Sequence, residues 1–399
     1  MTEQSIKPKL KDEFLNELGY FELFFSKEIQ ELFADESATF FRKKLIDSYG
    51  VDYKTTVLGS YGKGNNMPYL FVSKGISKED ILAYIAIRVY MDLHRLADIK
   101  SYWNSGTPYI KITNIMSKNY FFLIAKAFHF PEKEKDPNDT SECTKNYDSN
   151  FKIGPKNQII LYYGKLCQNF QKYYELGDNI TIDESTTHFN VKKKPNNSIK
   201  VSKQGYRIHL LSDSNTSYLY NMIFEQGKNT DFQPTAQNSI INENVILKLL
   251  SCLSDKKKRN LFVDEYYSSP NLLKRLKEIE YLNTSVLSQN SKEDDKSINS
   301  IKTNSDSKSS KSKGNIPFDY DLEVESNRKT NAWYPKVIFF GVEACMINAK
   351  YLYEKKTGKS LSLTDFKEKV CKQIFNMYKE YNKSHPEMGE PGKKNAKKP

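Results

Sequence analysis

The chain has 399 residues, with 61 Lys or Arg against 49 Asp or Glu and a formal charge of +12. That length suits two or three domains, and an aromatic content of 13% excludes a chain disordered throughout. With 17 Gly and 14 Pro it is neither collagen-like nor a Pro-rich scaffold, and its longest apolar run, Val337 to Ala349, is broken by Glu343 and too short for a membrane span of about 20 residues.

The first residues, MTEQSIKPKLKDEF, are charged and carry no apolar signal region. Residues 8 to about 130 read as helical, because Ile29, Leu32, Phe33, Phe40, Phe41 and Leu45 recur at helical spacing. Ser77-Lys78-Glu79-Asp80 has the form of a capping box with Asp in place of Glu. Behind it Ile81, Tyr84, Ile85, Val89 and Leu93 hold one apolar face. The glycines from Gly59 to Gly64 lack the spacing of a phosphate loop. The polar stretch from Glu132 to Asn150 predicts a loop.

The pattern then changes. Ile180-Thr181-Ile182 is a short β-branched run that stops at Asp183. Tyr206 to Leu211 and Tyr218 to Phe224 predict strands around the turn-rich stretch 212–216. Asn244 to Leu253 reads as a helix, and Asn260 to Val263 as a further short strand that stops at Asp264. Pro270 is placed to open a helix. Strands alternating with helices predict an α/β core. Residues 284–315 are low-complexity Ser, Lys, Asn and Asp, with too little apolar area to offset ordering entropy, so disorder is expected there. Trp333 to Glu354 predicts a helix, Ser362 caps another reaching about Tyr381, and residues 386–399 form a basic tail.

The five cysteines, Cys143, Cys167, Cys252, Cys345 and Cys371, have no zinc-finger or CxxC spacing. They read as reduced thiols of the cytosol or nucleus. Of the basic residues 54 are Lys and only seven Arg, so charge alone does not decide between a nucleic-acid partner and a solvated lysine-rich surface. The segment from Lys192 to Arg207 is more pointed: Lys192, Lys193, Lys194, Lys200, Lys203 and Arg207 occur without an acidic residue. It could lie along DNA phosphates or form a solvated hairpin. Asp183 and Asp264, each ending an apolar strand, could share a divalent cation at the carboxyl edge of a sheet, or each could cap the next loop or helix.

Several blocks carry a family resemblance. They are ILAYIAIRVYMDLHRLADIKSYWN and ITNIMSKNYFFLIAKAFHF, with Tyr102-Trp103, Met116-Ser117 and His129-Phe130; ITIDESTTHF; GYRIHLLSDSNTSYLYNMIFEQGK; LFVDEYYSSPNLLKRL; and Arg328-Lys329-Thr330, then Trp333 and Asn348-Ala349. In this order they resemble the piggyBac transposase family. The resemblance implies an α/β, RNase H-like catalytic core flanked by N- and C-terminal helical segments. It implies a helical dimerisation and DNA-binding segment at 8–178, a core at 179–283, a low-complexity linker at 284–315 in place of the family's insertion, and a C-terminal helical segment at 316–385. It places the first two catalytic, metal-binding aspartates at Asp183 and Asp264, with Mg²⁺ as cofactor. Lys192, Lys193, Lys194, Lys200, Lys203, Arg207, Arg328 and Lys329 become DNA-binding candidates. It further implies DNA with a TTAA preference as partner, a homodimer or a hetero-oligomer with an active relative, no membrane, and the nucleus.

The third catalytic aspartate of the resemblance is thirteen residues before the Arg of the Arg-Lys-Thr block. Counting back from Arg328 reaches Asn315, a neutral and poorer Mg²⁺ ligand; Asp319 or Asp321 would serve only with a shifted alignment. A Cys/His-rich zinc domain also has no counterpart, so no zinc is expected. The resulting expectation is a transposase-derived DNA-binding protein degenerate for cleavage and strand transfer. The alternative is an active Mg²⁺-dependent enzyme using Asp183, Asp264 and Asp319.

Overall fold

The computed structural model describes residues 15–61, 67–104, 112–131, 155–193, 200–225, 238–253, 257–264, 270–277, 282–287 and 333–385. These fall into two compact units. One is built on residues 170–188 and 204–287, the other on 15–169, 189–203 and 333–385. The expected 132–150 loop, the 288–315 stretch and the 386–399 tail lie outside the described residues.

The second unit is helical: α1 (Glu17–Phe24), α2 (Lys27–Tyr49), α3 (Tyr53–Tyr61), α4 (Met67–Lys74), α5 (Lys78–Leu93), α6 (Lys118–Ala127), most of α7 (Pro155–Tyr173), α10 (Trp333–Thr357) and α11 (Leu363–Ser384). Its helix starts are chemically specified. The Ser77 hydroxyl accepts from the Asp80 N–H while Asp80 reaches back to Ser77, giving the expected capping box. Ser117 and Ser362 cap α6 and α11 in the same way, by accepting from the N–H groups of Tyr120 and Asp365. α5 is the centre of this unit: Ile81, Leu82, Ala83, Ile85, Ala86 and Ile87 are all at most 1% exposed, and α2, α6 and α11 pack around it. Phe33 stacks on Phe128 at 4.7 Å and meets Phe130 at 4.8 Å. The break in the α10 apolar run has a partner: buried Glu343 pairs with Lys367 of α11. Burial still raises the Glu343 carboxyl pKa, against the pull of Lys367. No described helix is long and apolar enough to cross a membrane.

The first unit is a five-stranded sheet with α8 (Asn238–Leu250) and α9 (Pro270–Lys277). Its strands are β1 (Asn179–Lys193), β2 (Lys200–Asp213), β3 (Leu219–Phe224), β4 (Arg259–Asp264) and β5 (Leu282–Leu287), in spatial order β3-β2-β1-β4-β5, although residues 189–193 of β1 and 200–203 of β2 group with the other unit. β3 runs antiparallel to β2, with Ile208 opposite Phe224. Ser214, just past β2, donates to the Asn179 carbonyl at the start of β1, so those two strands also run in opposite directions. β4 is parallel to β1 and β5 parallel to β4. In chain order α8 lies between β3 and β4 and α9 between β4 and β5, as parallel strands require a crossover. This strand order, with three antiparallel strands and then two parallel ones, is that of an RNase H-like core.

Three expectations need correction. β1 does not stop at Asp183 but continues to Lys193, and β2 begins at Lys200 rather than Tyr206. Thr186, Thr187 and Val191 favour extended backbone without an apolar run, and pairing with β2 extends the strand. Residues 284–287, read as the start of a disordered linker, belong to β5. Leu282, Val286 and Leu287 suffice for an edge strand, where Asn, Thr and Ser are tolerated.

Candidate functional site

β1 and β4 bring the two predicted aspartates to one level. Ile180 pairs with Leu261 and Ile182 with Val263 across the parallel register. All four are at most 1% exposed, so burial fixes this register: a one-residue slip would turn the apolar set outward. One position farther along each strand are Asp183 and Asp264, the latter closing β4. Asp183 is half-buried, and its Oδ1 accepts the backbone N–H of Glu184 at 2.7 Å.

The entry to these strands is held by residues that the sequence pattern did not single out. The buried Asp213 carboxylate accepts from the Tyr174 hydroxyl at 3.0 Å and the Gly177 N–H at 2.8 Å. It also accepts from the Asn215 and Thr216 N–H groups at 2.9 and 3.2 Å. One anion therefore organises both the approach to β1 and the β2–β3 turn, and charge-assisted bonds of this kind are the strong ones. Gly177 is required there, because a Cβ would stand 2.8 Å from Asp213 Oδ2. Arg259, 2% exposed at the start of β4, donates through Nε to the Gly177 carbonyl at 3.2 Å. Asp213 lies in a Ser-Asp-Ser-Asn turn within one of the blocks of the family resemblance, and neither the turn nor the block reveals its longer contacts to Tyr174 and Gly177.

A charged cluster crosses β1, β2 and the end of β3. Arg207 Nη1 is 3.9 Å from Glu184 Oε2, and buried His209 places Nε2 3.3 Å from Glu225 Oε2. The His209 hydrogen bond outweighs burial and, with the charges of His209 and Arg207, holds the Glu225 carboxyl below its ordinary range. Arg207 thus has acidic neighbours, which a reading of a purely basic segment did not anticipate.

The remaining candidates are spread along the chain. Lys192 and Lys193 end β1, and Lys200 and Lys203 lie in the first half of β2. Lys194, Asp319, Arg328, Lys329 and Asn315 lie outside the described residues. Among the described residues no three His, Cys, Asp or Glu side chains are grouped to hold a metal ion. Asp183 and Asp264, at one level along β1 and β4, are of the residue type whose hard oxygen donors Mg²⁺ takes and would furnish part of a site, with water and phosphate completing it. Cys167, Cys252, Cys345 and Cys371 are thiols not joined in disulfides.

Several blocks of the family resemblance serve packing. The Trp103 indole N–H donates to the Met116 carbonyl at 2.9 Å. The His129 N–H donates to Ser37 Oγ, its ring stacks on Phe40, and desolvation lowers its pKa. The Phe130 N–H donates to the Tyr334 hydroxyl at 2.9 Å.

Comparison with known proteins agrees with this architecture. Residues 16–318 match the family described as Transposase IS4. The fold is similar to that in the cryo-EM structure of a piggyBac transposase synaptic complex with hairpin DNA, with a TM-score of 0.65 and 15% sequence identity, over 96% of this chain and 85% of that one. No curated protein sequence matches.

Proposed function

Because this chain belongs to the Transposase IS4 family, we propose that it is a DNA-binding protein of piggyBac-like descent that no longer cleaves or joins strands on its own. The observation that carries the DNA-directed part is the β1–β4 register, with Asp183 and Asp264 one step beyond the Ile182–Val263 pair. The two carboxylates would hold Mg²⁺, which when bound supplies positive charge for a phosphodiester. Lys192, Lys193, Lys200 and Lys203 would neutralise the flanking phosphates, each contributing to a salt-dependent affinity. DNA in a synaptic complex of the structurally similar transposase is consistent with this partner. The same descent suggests a TTAA preference, a homodimer or a hetero-oligomer with an active relative, and nuclear action.

Loss of cleavage is proposed from the sequence beyond the sheet. Phosphodiester cleavage needs on the order of 20 kcal/mol of barrier lowering, drawn largely from preorganised charge around the reacting phosphate. Asn315 at the third ligand position removes one full negative charge from that set. A second reading, an active Mg²⁺-dependent enzyme using Asp183, Asp264 and Asp319, is favoured by the retained register of the first two. Duplex binding and plasmid nicking with Mg²⁺ or Mn²⁺ separate the readings. Binding without nicking is expected. Nicking abolished by Asp264→Ala would establish the second reading, and no binding to DNA would overturn both.

A further inference from the structure

α2 (Lys27–Tyr49) buries one side in the helical unit and turns the other outward. Ile29, Phe33, Ser37, Phe41 and Leu45 recur every fourth residue and are all buried. Helical spacing puts Leu32, Asp35, Thr39, Arg42, Lys43 and Ile46 on the opposite side. All six are exposed except Leu32, which is half-buried. The charge on this outer stripe changes sign along the helix. Its first half carries Glu28 and Glu31, which pair with Lys165 and Lys78 yet keep side chains 69% and 56% exposed. Asp35 follows, and past Thr39 come Arg42 and Lys43. Apolar surface lies at the same end: of the four large apolar residues exposed among the described residues, Ile46, Val51 and Leu58 flank the α2–α3 corner.

The helix itself does not account for this pattern. Its macrodipole favours acids at the start and bases at the end, but only within the first and last turns. Asp35 is the ninth and Arg42 the sixteenth of its 23 residues. Glu31 and Asp35, four residues apart, are like charges, a spacing that weakens an isolated helix. DNA would suit Arg42 and Lys43, but the acids on the same stripe would repel its phosphates. A second α2 running in the opposite direction suits both halves. A two-fold contact brings one surface against itself, so the patch must be self-complementary. Asp35 and Arg42 are equidistant from a point between Ala38 and Thr39, and seven residues, nearly two turns, keep them on one side of the helix. Leu32 and Ile46 straddle the same point. Ala38 and Thr39 are small, which favours close approach of two helix axes at the crossing.

We propose that two copies of this chain associate through the outer stripe of α2, antiparallel about a two-fold axis beside Thr39, with Asp35 of each copy facing Arg42 of the other and Leu32 meeting Ile46. This rests on the homodimer of the reading above and gives it a surface; it does not depend on DNA or metal binding. The apolar contact supplies affinity, and the charges fix direction and register. A contact made by a helix about 35 Å long is small by the standard of stable interfaces, so the dimer should dissociate on the order of micromolar concentrations.

The test is sedimentation velocity of the full chain across micromolar concentrations, without DNA. The wild-type protein should dimerise, less tightly as salt is raised. Asp35→Arg and Arg42→Asp should each weaken the dimer at least about tenfold, because the axis sets like charges together at both ends of the contact. An equal mixture of the two variants should form a heterodimer of near wild-type affinity, since opposite charges then meet at both ends. The double variant Asp35→Arg, Arg42→Asp should recover likewise. Recovery separates a lost contact from a lost fold. A dimer unchanged in both variants would overturn this surface and leave the homodimer in place on another. Two weakened variants that fail to associate when mixed would also overturn it. A wild-type protein that stays monomeric throughout would overturn the surface and the homodimer together, whereas failure to bind DNA would touch neither.

Discussion

Ile182 and Val263 are partners across the parallel strands β1 and β4, and the next residue on each strand is an aspartate. Like charges side by side on neighbouring strands cost up to about 1 kcal/mol. In metal-free buffer at neutral pH, Asp183→Asn should therefore leave thermal stability unchanged or raise it slightly. Mg²⁺ should stabilise the wild-type protein and not the variant, because a ligand of the folded state shifts unfolding by mass action. Thermal unfolding with and without Mg²⁺ measures both effects; equal stabilisation of the two proteins by Mg²⁺ would contradict the pairing.

Gly341 marks a close approach of α10 to α7. A Cβ there would stand 2.6 Å from Tyr162 Cε1 and 2.8 Å from Leu166 Cδ1. Tyr162 cannot turn aside, being fully buried with its hydroxyl donating to the Ile338 carbonyl. Gly341→Ala should destabilise the helical unit by about 1–3 kcal/mol, the usual cost of overpacking, despite the gain in helix propensity. Urea unfolding monitored by far-UV circular dichroism would show this as a lower midpoint with an unchanged slope.

Lys74 and Asp80 form a buried ion pair at 2.9 Å, with side chains 2% and 1% exposed. Asp80 also accepts the Ser77 N–H at 2.8 Å and meets the hydroxyls of Tyr120 and Tyr378. Lys74 lies over the Tyr120 ring, 4.1 Å from its centroid. Asp80→Leu should cost about 3–5 kcal/mol, because it strands a buried ammonium and removes the α5 cap. Adding Lys74→Met should restore part of that loss, and a double-mutant cycle of unfolding free energies would read the recovery. A double variant less stable than Asp80→Leu alone would contradict this account.

Glu225 supplies a pH test. Hydrogen bonding to His209 is the main reason that its folded pKa lies below the ordinary carboxylate value. A depressed carboxylate stabilises the fold above the unfolded-state pKa and loses that contribution as pH falls through the folded one. The stability difference between wild type and Glu225→Gln should therefore shrink as pH falls below about 4.5. Denaturant titrations across pH 3–5 measure it; a difference that grows on acidification would reverse the assigned sign.

Local chemistry made much of this fold legible. Ser77-Lys78-Glu79-Asp80 and Ser362 marked helix starts, Pro270 opened α9, and the polar stretch after Leu211 marked the β2–β3 turn. Local patterning also located the strands that carry Asp183 and Asp264, but only the β1–β4 pairing, which no window of sequence contains, puts the two at one level. β5 escaped because its interior, Asn283-Thr284-Ser285, has the composition of the low-complexity run just beyond it. The extension of β1 to Lys193 and the early start of β2 at Lys200 escaped because these stretches carry no apolar run. Asp213 and the Lys74–Asp80 pair were illegible for a further reason: their partners, such as Gly177, Tyr174 and Tyr378, are distant in sequence.

The most direct test of the central claim, that Asp183 and Asp264 act together on a divalent cation, is Mn²⁺ binding measured by electron paramagnetic resonance on the full chain, wild type beside Asp183→Ala and Asp264→Ala. The account predicts saturable Mn²⁺ binding by the wild-type protein, displaced by Mg²⁺ and weakened at least tenfold in each variant. Mn²⁺ binding of wild-type strength in either variant would contradict it.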